Sequence, residues 1–514
     1  MKFPALAPRI MPRMLACCLL SFACLLPAVA QDDKPAAPEK SAAAKDKADK
    51  PDTALPPLPA DAHTQQSIQI DGKTLHYTVT VGKLSVRDKE GKTSGELVYT
   101  AYTVEGENRP VTFAVNGGPG ASSVYLNFGA IGPKHLNGIG NDGDSPSDPA
   151  TLSDNPGTWL DFTDLVFLDP IGTGFSRSLV SEAETKKQFY SPEADIEYLS
   201  RAIYDWLVKN SRLDSRKYLV GESYGGFRGP RITYFLQSEL GVGLNGTVLV
   251  SPYLNPTIED NGDLSPIPWM ITLPSITASN LERQNKLTPD TMKQVIDYTE
   301  GDYATTLIKG NTDPSATQAM IQKVTEMTGL DSAFVKYSGG RLETGAYLRE
   351  VHREEGKIGS VYDSNVTSTD PFPYSPDQRS NDPILATIIA PTTTAMVDFV
   401  TRTVGWKVDA RYNALSGEVN NQWDRSGREL RRGSAEELRL SVAADPKLRV
   451  MIVHGWNDLS CPFMGSILTV NQMHIVGDPT RVSVHEYPGG HMFYTRDAGR
   501  LALRKDVMEM YQKH

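Results

Sequence analysis

Polar and apolar residues alternate through "SIQIDGKTLHYTVTVGKLSV" (67–86) and again through "GELVYTAYTVEG". A period of two predicts half-buried antiparallel strands, and Asp71-Gly72 supplies the first hairpin turn. Further along, the pattern changes to short continuous apolar runs: "VTFAV" (111–115), "DLVFLD" (164–169), "KYLVG" (217–221), "GTVLVSP" (246–252) and "LRVMIVHG" (448–455). Each is rich in β-branched residues and bounded by polar, Gly or Pro positions, as fully buried strands are. The stretch 191–210 lies between two of them and has helical periodicity, with Ile196, Leu199, Ile203, Trp206 and Leu207 on one face. Ser191 is its expected N-cap, and Pro192 sits at the first helical position. Strands alternating with helices predict an α/β protein with a mostly parallel central sheet flanked by helices. From about 256 to 436 the rhythm breaks into a more polar, helix-patterned stretch, read as a cap inserted between two parts of the core, 63–255 and 437–514.

The two ends of the pattern differ in kind. At the start, Lys2, Arg9 and Arg13 precede the apolar run Met14–Leu26, followed by Pro27-Ala28-Val29-Ala30. A basic region, a short apolar region and an A-x-A site predict a secretory signal over residues 1–30, too short to serve as a membrane span. Residues 31–62 open with an Ala-, Pro-, Lys- and Asp-rich tract without aromatic residues, the composition of a disordered linker. No other stretch reads as a membrane crossing.

Composition narrows the function classes. Of the 514 residues, 39% are hydrophobic and 22% charged, enough for a large core. Removing the leader takes away three basic and no acidic residues, moving the net charge from −10 to −13. Such a chain is a poor partner for nucleic acid or for an anionic membrane surface. Three of the four cysteines lie in the leader, so Cys461 alone remains and no intrachain disulfide is expected. An exported protein that relies on its core, in a periplasmic or extracellular setting, fits these features.

The candidate chemistry centres on "YLVGESYGGF" (218–227). A strand running into Gly221-Glu222-Ser223-Tyr224-Gly225 matches the G-x-S-x-G nucleophile elbow, which holds a serine Oγ at the top of a sheet; a plain glycine-rich loop is the competing reading. A nucleophilic serine needs a base and an orienting acid. Among the nine histidines, His491 follows a strand-like run and sits in "PGGHMFY"; His454 and His485 lie in predicted strands and read as structural. Asp458, in "VHGWNDLSCP", follows another buried strand. Ser223, Asp458 and His491 occur in the chain order of the α/β-hydrolases. Tyr224 N–H, next to the serine, is one expected oxyanion donor, and the glycine-rich "NGGPGASS" (116–123), after "VTFAV", is the place for the second.

These motifs, in this order with "GPKHL" and "TDLVFLDPIGTGFSRS", make the sequence from 63 to 514 resemble the serine carboxypeptidase family, whose fold is that of the α/β-hydrolases. The resemblance implies Ser223, Asp458 and His491 as the triad and Gly118 and Tyr224 as the oxyanion-hole amides. It implies Asn116 and Glu222 as the groups that bind a substrate's terminal carboxylate, and Cys461 and Met492 as pocket residues. A glutamate beside a carboxylate must share a proton with it, which selects for a free C-terminus. The chain departs from the family at Ala121, where a cysteine is usual, and at Ala130, where many members have a second glutamate; the implied clamp is correspondingly smaller. The expected substrate is a peptide with a free C-terminus. An esterase or acyltransferase on the same scaffold is the alternative, and a non-catalytic binding protein of hydrolase descent is a third reading. No H-E-x-x-H zinc signature and no phosphate-binding loop occur, so neither a metal nor another cofactor is expected.

Overall fold

The computed structural model describes residues 55–513, apart from 260, 261, 263, 376–379, 475 and 476. The expected leader and the first part of the linker lie outside the described residues. The end of that linker is ordered, contrary to expectation. Leu58 is buried, and the Ala60 carbonyl accepts a hydrogen bond from Trp406 Nε1 at 3.0 Å. Lys83 Nζ also donates to the Leu58 carbonyl at 3.3 Å, and Lys209 pairs with Asp61 at 2.6 Å, so core burial and polar contacts together fix this end of the segment.

The main sheet has 10 strands. Nine form a continuous path: β1 (Ala62–Ile70), β2 (Lys73–Arg87), β3 (Thr93–Thr103), β4 (Val111–Val115), β5 (Asp164–Leu168), β6 (Lys217–Glu222), β7 (Gly246–Val250), β8 (Arg449–Gly455) and β9 (Val482–Tyr487). Their spatial order is β1-β2-β3-β5-β4-β6-β7-β8-β9, with Arg177–Ser178 pairing beside β3. The alternating sequences form the antiparallel end, and Asp71 and Gly72 take positive φ at the predicted turn. The continuous apolar runs form β4 to β8, and with the half-buried β9 at the edge these strands make the parallel part of the sheet. Strands β4 to β7 are buried along almost their whole length, which is why their sequences do not alternate. The predicted helix spans Pro192–Lys209; Ser191 Oγ accepts from Ala194 N, and the Ile203–Trp206–Leu207 face is buried.

Residues 256–436 are mostly helical, with one small hairpin pairing Lys357–Gly359 and Thr367–Thr369. The stretch divides by its packing. Helices from Ile267 to Glu350 form apolar clusters around Ile276, Val324 and Tyr347, and around Ile271 and Met292, joined by Leu459 and Phe463 from the core part that follows. The helix Pro383–Asp398 and the chain to Tyr412 instead pack Ile388, Met396, Phe399 and Trp406 into the main core with Tyr102 and Phe128. By length and composition Pro383–Thr403 is apolar enough to cross a membrane, which corrects the expectation that no such stretch follows the leader. Part of its apolar surface is buried in this core.

Candidate active site

Parallel strands end together at one edge, and the candidate residues come from those ends. Ser223 directly follows β6, Asp458 follows β8 and His491 follows β9. The register pairs Glu222 with Val250 and Val250 with Val453 across β6, β7 and β8. Ser223 has φ 59° and ψ −121°. That conformation costs roughly 1–3 kcal/mol and is held by its surroundings. Ser223 N–H donates to the Val250 carbonyl at 3.0 Å, while its own carbonyl accepts from Gly226 and Tyr253 N–H. The glycines around it are required by space: a Cβ on Gly221 would lie 2.0 Å from the Gly225 carbonyl oxygen, and one on Gly225 would lie 2.4 Å from that of Val115. Gly221→Ala is therefore expected to destabilise the fold by about 3 kcal/mol or more, measured by urea unfolding, because backbone must move to admit the methyl.

His491 Nδ1 lies 2.7 Å from Asp458 Oδ2, and both side chains are buried. Ser460 and Cys461 N–H donate to the other Asp458 oxygen at 2.8 and 2.9 Å. Burial alone disfavours the imidazolium. The Asp458 carboxylate, through its charge and hydrogen bond, outweighs that, and Glu222 and Asp382 add to it, so the His491 pKa is raised. The histidine backbone is held from two sides: its N–H donates to the Tyr362 carbonyl at 2.6 Å, and its carbonyl accepts from Ser251 Oγ at 2.8 Å. Tyr362 also lies against the imidazole, with ring centroids 5.1 Å apart. The neighbouring Val361 carbonyl accepts from Leu459 N–H, beside the acid. Glu282 accepts from Asn457 Nδ2 at 2.6 Å and pairs with Arg496, which also binds Asp363 at 2.7 Å. Residues of the inserted stretch thus brace both the acid and the histidine.

The 116–123 loop packs directly on the elbow. A Cβ on Gly117 would fall 2.4 Å from Tyr224 N. Gly118 has φ +101° and is exposed. Neither Gly118 N–H nor Tyr224 N–H has a hydrogen-bond acceptor among the described residues. The loop is pinned beneath by Ser123 N–H donating to Asp169 at 2.8 Å, by Tyr412 OH donating to Ser122 at 3.0 Å, and by Arg228 donating to the Asn116 carbonyl at 2.5 Å. Arg228 is itself fully buried and paired with Asp195 at 2.6 Å.

Glu222 and Asn116 are in contact, and both are buried. Asn116 Nδ2 donates to Glu222 Oε2, while Asn116 Oδ1 accepts from Leu126 N–H at 3.0 Å, which fixes the amide orientation. Tyr494 OH donates to Glu222 Oε1 at 2.5 Å. Burial pushes the Glu222 carboxyl up to about 7, against the lowering pull of His491 and of the Tyr494 and Asn116 hydrogen bonds; Asp458 adds to the rise. Tyr494 escaped the sequence reading, because a tyrosine in "GGHMFY" looks like core. Its proximity to His491 was the available signal.

Cys461 and Met492 are buried beside the acid and the histidine respectively. His454, His485 and His352 are engaged elsewhere. His454 is buried against Ser466 Oγ at 2.8 Å, and burial with the nearby His491 lowers its pKa to about 3. His485 bonds Ser483, and His352 bonds the Ser364 carbonyl. Among the described residues no group of three or more His, Cys, Asp or Glu side chains is placed to hold a metal ion.

A sequence profile of the serine carboxypeptidase family matches residues 82–492. The chain belongs to the serine carboxypeptidase family. Similar members include serine carboxypeptidase-like 36 of Arabidopsis thaliana, 28% identical over 39% of this chain and 40% of that protein. Another is the pheromone-processing carboxypeptidase kex1 of Schizosaccharomyces pombe, 29% identical over 31% of this chain and 28% of that protein. The chain spans less than half the length of these curated relatives. The crystal structure of Kex1(delta)p, a prohormone-processing carboxypeptidase from Saccharomyces cerevisiae, superposes with a TM-score of 0.53 at 15% identity, covering 85% of this chain and 92% of that one. The family's fold is the α/β-hydrolase fold, and this sheet has it.

Proposed function

We propose that this chain is an exported serine carboxypeptidase that releases C-terminal residues from peptides through an acyl-enzyme on Ser223. His491 Nδ1 is committed to Asp458, which leaves Nε2 to take the Ser223 proton. Oγ then attacks the scissile carbonyl, and the oxyanion is held by the N–H groups of Gly118 and Tyr224. The imidazolium, stabilised by Asp458, protonates the leaving amine; water then attacks the ester by the same route in reverse. Cys461 and Met492 line the pocket beside these groups.

The observation that carries the peptide reading is Glu222. It sits immediately before the nucleophile, buried, bonded to Asn116 and raised to about 7. Protonated, it is a donor for the one group that every peptide C-terminus has. Export rests on the basic–apolar–A-x-A pattern of residues 1–30 and on a remaining chain with Cys461 as its single cysteine. A bacterial-type enzyme, periplasmic or extracellular, fits both. The inserted helices from about 256 serve as the cap.

The discriminating experiment compares an N-blocked dipeptide with a simple ester, and labels Ser223 with a fluorophosphonate. Labelling plus efficient dipeptide cleavage is expected. Labelling with ester cleavage alone favours an esterase or acyltransferase, and absence of labelling favours a non-catalytic descendant.

A further inference from the structure

Arg228 lies on the helix Tyr224–Ser238 that leaves the elbow, and it is fully buried. Its Nε and Nη2 donate to the two Asp195 carboxylate oxygens at 2.6 and 3.1 Å, which leaves Nη1 to donate to the Asn116 carbonyl at 2.5 Å. The same guanidinium lies over the Tyr224 ring, 5.1 Å from its centroid. Asp195 comes from the helix Pro192–Lys209 and accepts from Tyr198 OH at 3.0 Å. That hydroxyl in turn accepts from Ile171 N–H at 3.2 Å. One buried cation therefore ties together the elbow helix, the neighbouring helix and the start of the 116–123 loop.

A buried ion pair is a poor stabiliser, because desolvation offsets most of the attraction, and well-packed apolar side chains in its place are often neutral or better. What this pair supplies is direction. Asp195 fixes the plane of the guanidinium, and the fixed plane aims Nη1 at a single carbonyl. Asn116 stands shortly before Gly118, whose N–H is one proposed oxyanion donor, and Tyr224 N–H is the other. Loop and elbow meet without slack: a Cβ on Gly117 would fall 2.4 Å from Tyr224 N, and one on Gly225 would fall 3.1 Å from the Asn116 carbonyl oxygen. Packing stops the two from approaching further, and Arg228 stops them from parting.

We propose that Arg228, oriented by Asp195, is a positioning residue that sets the spacing of the Gly118 and Tyr224 N–H groups of the oxyanion hole. This rests on the reading that those two amides hold the oxyanion formed when Ser223 attacks. The donors act where charge develops, so a small displacement of the loop weakens the transition state more than the bound substrate. The effect belongs in kcat rather than KM. It is the same for an ester as for a peptide, because the ester also passes through the oxyanion while needing no terminal carboxylate.

The test compares wild type, Arg228→Lys and the double variant Arg228→Met with Asp195→Leu, which removes both charges together. A lysine keeps a charge for Asp195 but cannot hold the carboxylate and the carbonyl in one planar fork. Turnover of an N-blocked dipeptide and of a simple ester is measured per active site, titrated to completion with a fluorophosphonate, together with Tm. Both variants are expected to fold and to lose about 10- to 100-fold in kcat on both substrates, with KM and the acidic pKa of kcat/KM, set by His491, unchanged. Binding of a peptidyl trifluoromethyl ketone, which forms a tetrahedral oxyanion on Ser223, should weaken by the same factor. A folded variant that turns over like the wild type, or whose loss lies in KM or in a shifted pKa, overturns the proposal and leaves the triad reading intact. If the double variant fails to fold, Arg228→Lys decides on the same criteria; failure of both to fold marks the network as structural and overturns the proposal as well. A wild type that cleaves neither substrate overturns the reading of the site itself.

Discussion

Ser223→Ala is expected to lower kcat/KM by about 10⁵–10⁶-fold while the protein stays folded. The separation of the two effects follows from the structure. Ser223 Oγ makes no hydrogen bond among the described residues and does not cap the helix it precedes, so alanine costs no contact. The strained φ of 59° is set by backbone bonds to Val250, Gly226 and Tyr253, which alanine keeps. Tm should stay within about 2 °C of wild type. His491→Ala should lose activity on a similar scale. His454→Ala should behave differently, with stability falling first, because that ring is buried on Ser466 and stands outside the proposed triad. Activity measured alongside thermal unfolding for the three variants checks all of this; an active Ser223→Ala or a dead but fully stable His454→Ala would require another nucleophile or base.

The second large effect is in pH. Glu222 is raised to about 7, first by burial. If the bound peptide needs its proton, binding is complete below about pH 7 and lost above it, so KM for a peptide should climb roughly tenfold per pH unit on the alkaline side. The amide of the same peptide should show no such climb. Glu222→Gln, a donor without a charge, should flatten the peptide curve. The charged neighbours that share this field are His491 and Asp458 on the core loops and Asp382 from the inserted stretch. Neutralising Glu222 withdraws one of the charges that hold His491 up, so the proton that peptide binding needs on Glu222 also helps His491 stay a free base. Stability is linked in the same direction. The folded carboxyl titrates above its ordinary value of 4.5, so its neutral form is favoured by folding. Below pH 4.5 the group is neutral in both states; between 4.5 and about 7 stability falls, by on the order of 3 kcal/mol. Unfolding free energy against pH in wild type and Glu222→Gln should differ by that increment, and curves of identical shape would show that Glu222 does not titrate high.

Much of this was legible from local pattern. Five-residue runs such as "VTFAV" and "GTVLVSP" can be satisfied only by burial on both faces, and they form β4 and β7. The elbow was legible because glycine at 221 and 225 is a steric requirement of that turn. Other features depend on contacts between residues far apart in the chain. Tyr494 meets Glu222 across 272 positions, and Arg496 meets Glu282 across 214. Nothing in the sequence near Tyr362 announces that its carbonyl holds His491. Leu58 and the helix Pro383–Asp398 were misjudged for a related reason: whether an apolar residue is linker, membrane face or core depends on what stands opposite, here the cluster around Tyr102 and Phe128.

The central claim is removal of residues from a free C-terminus by Ser223. The direct measurement is mass spectrometry of a ten-residue peptide and its C-terminal amide after incubation with wild type and Ser223→Ala. Loss of single residues from the C-terminus of the acid, slow or absent loss from the amide, and no loss with Ser223→Ala are expected. Internal cleavage, or equal trimming of acid and amide by the wild type, would contradict the account.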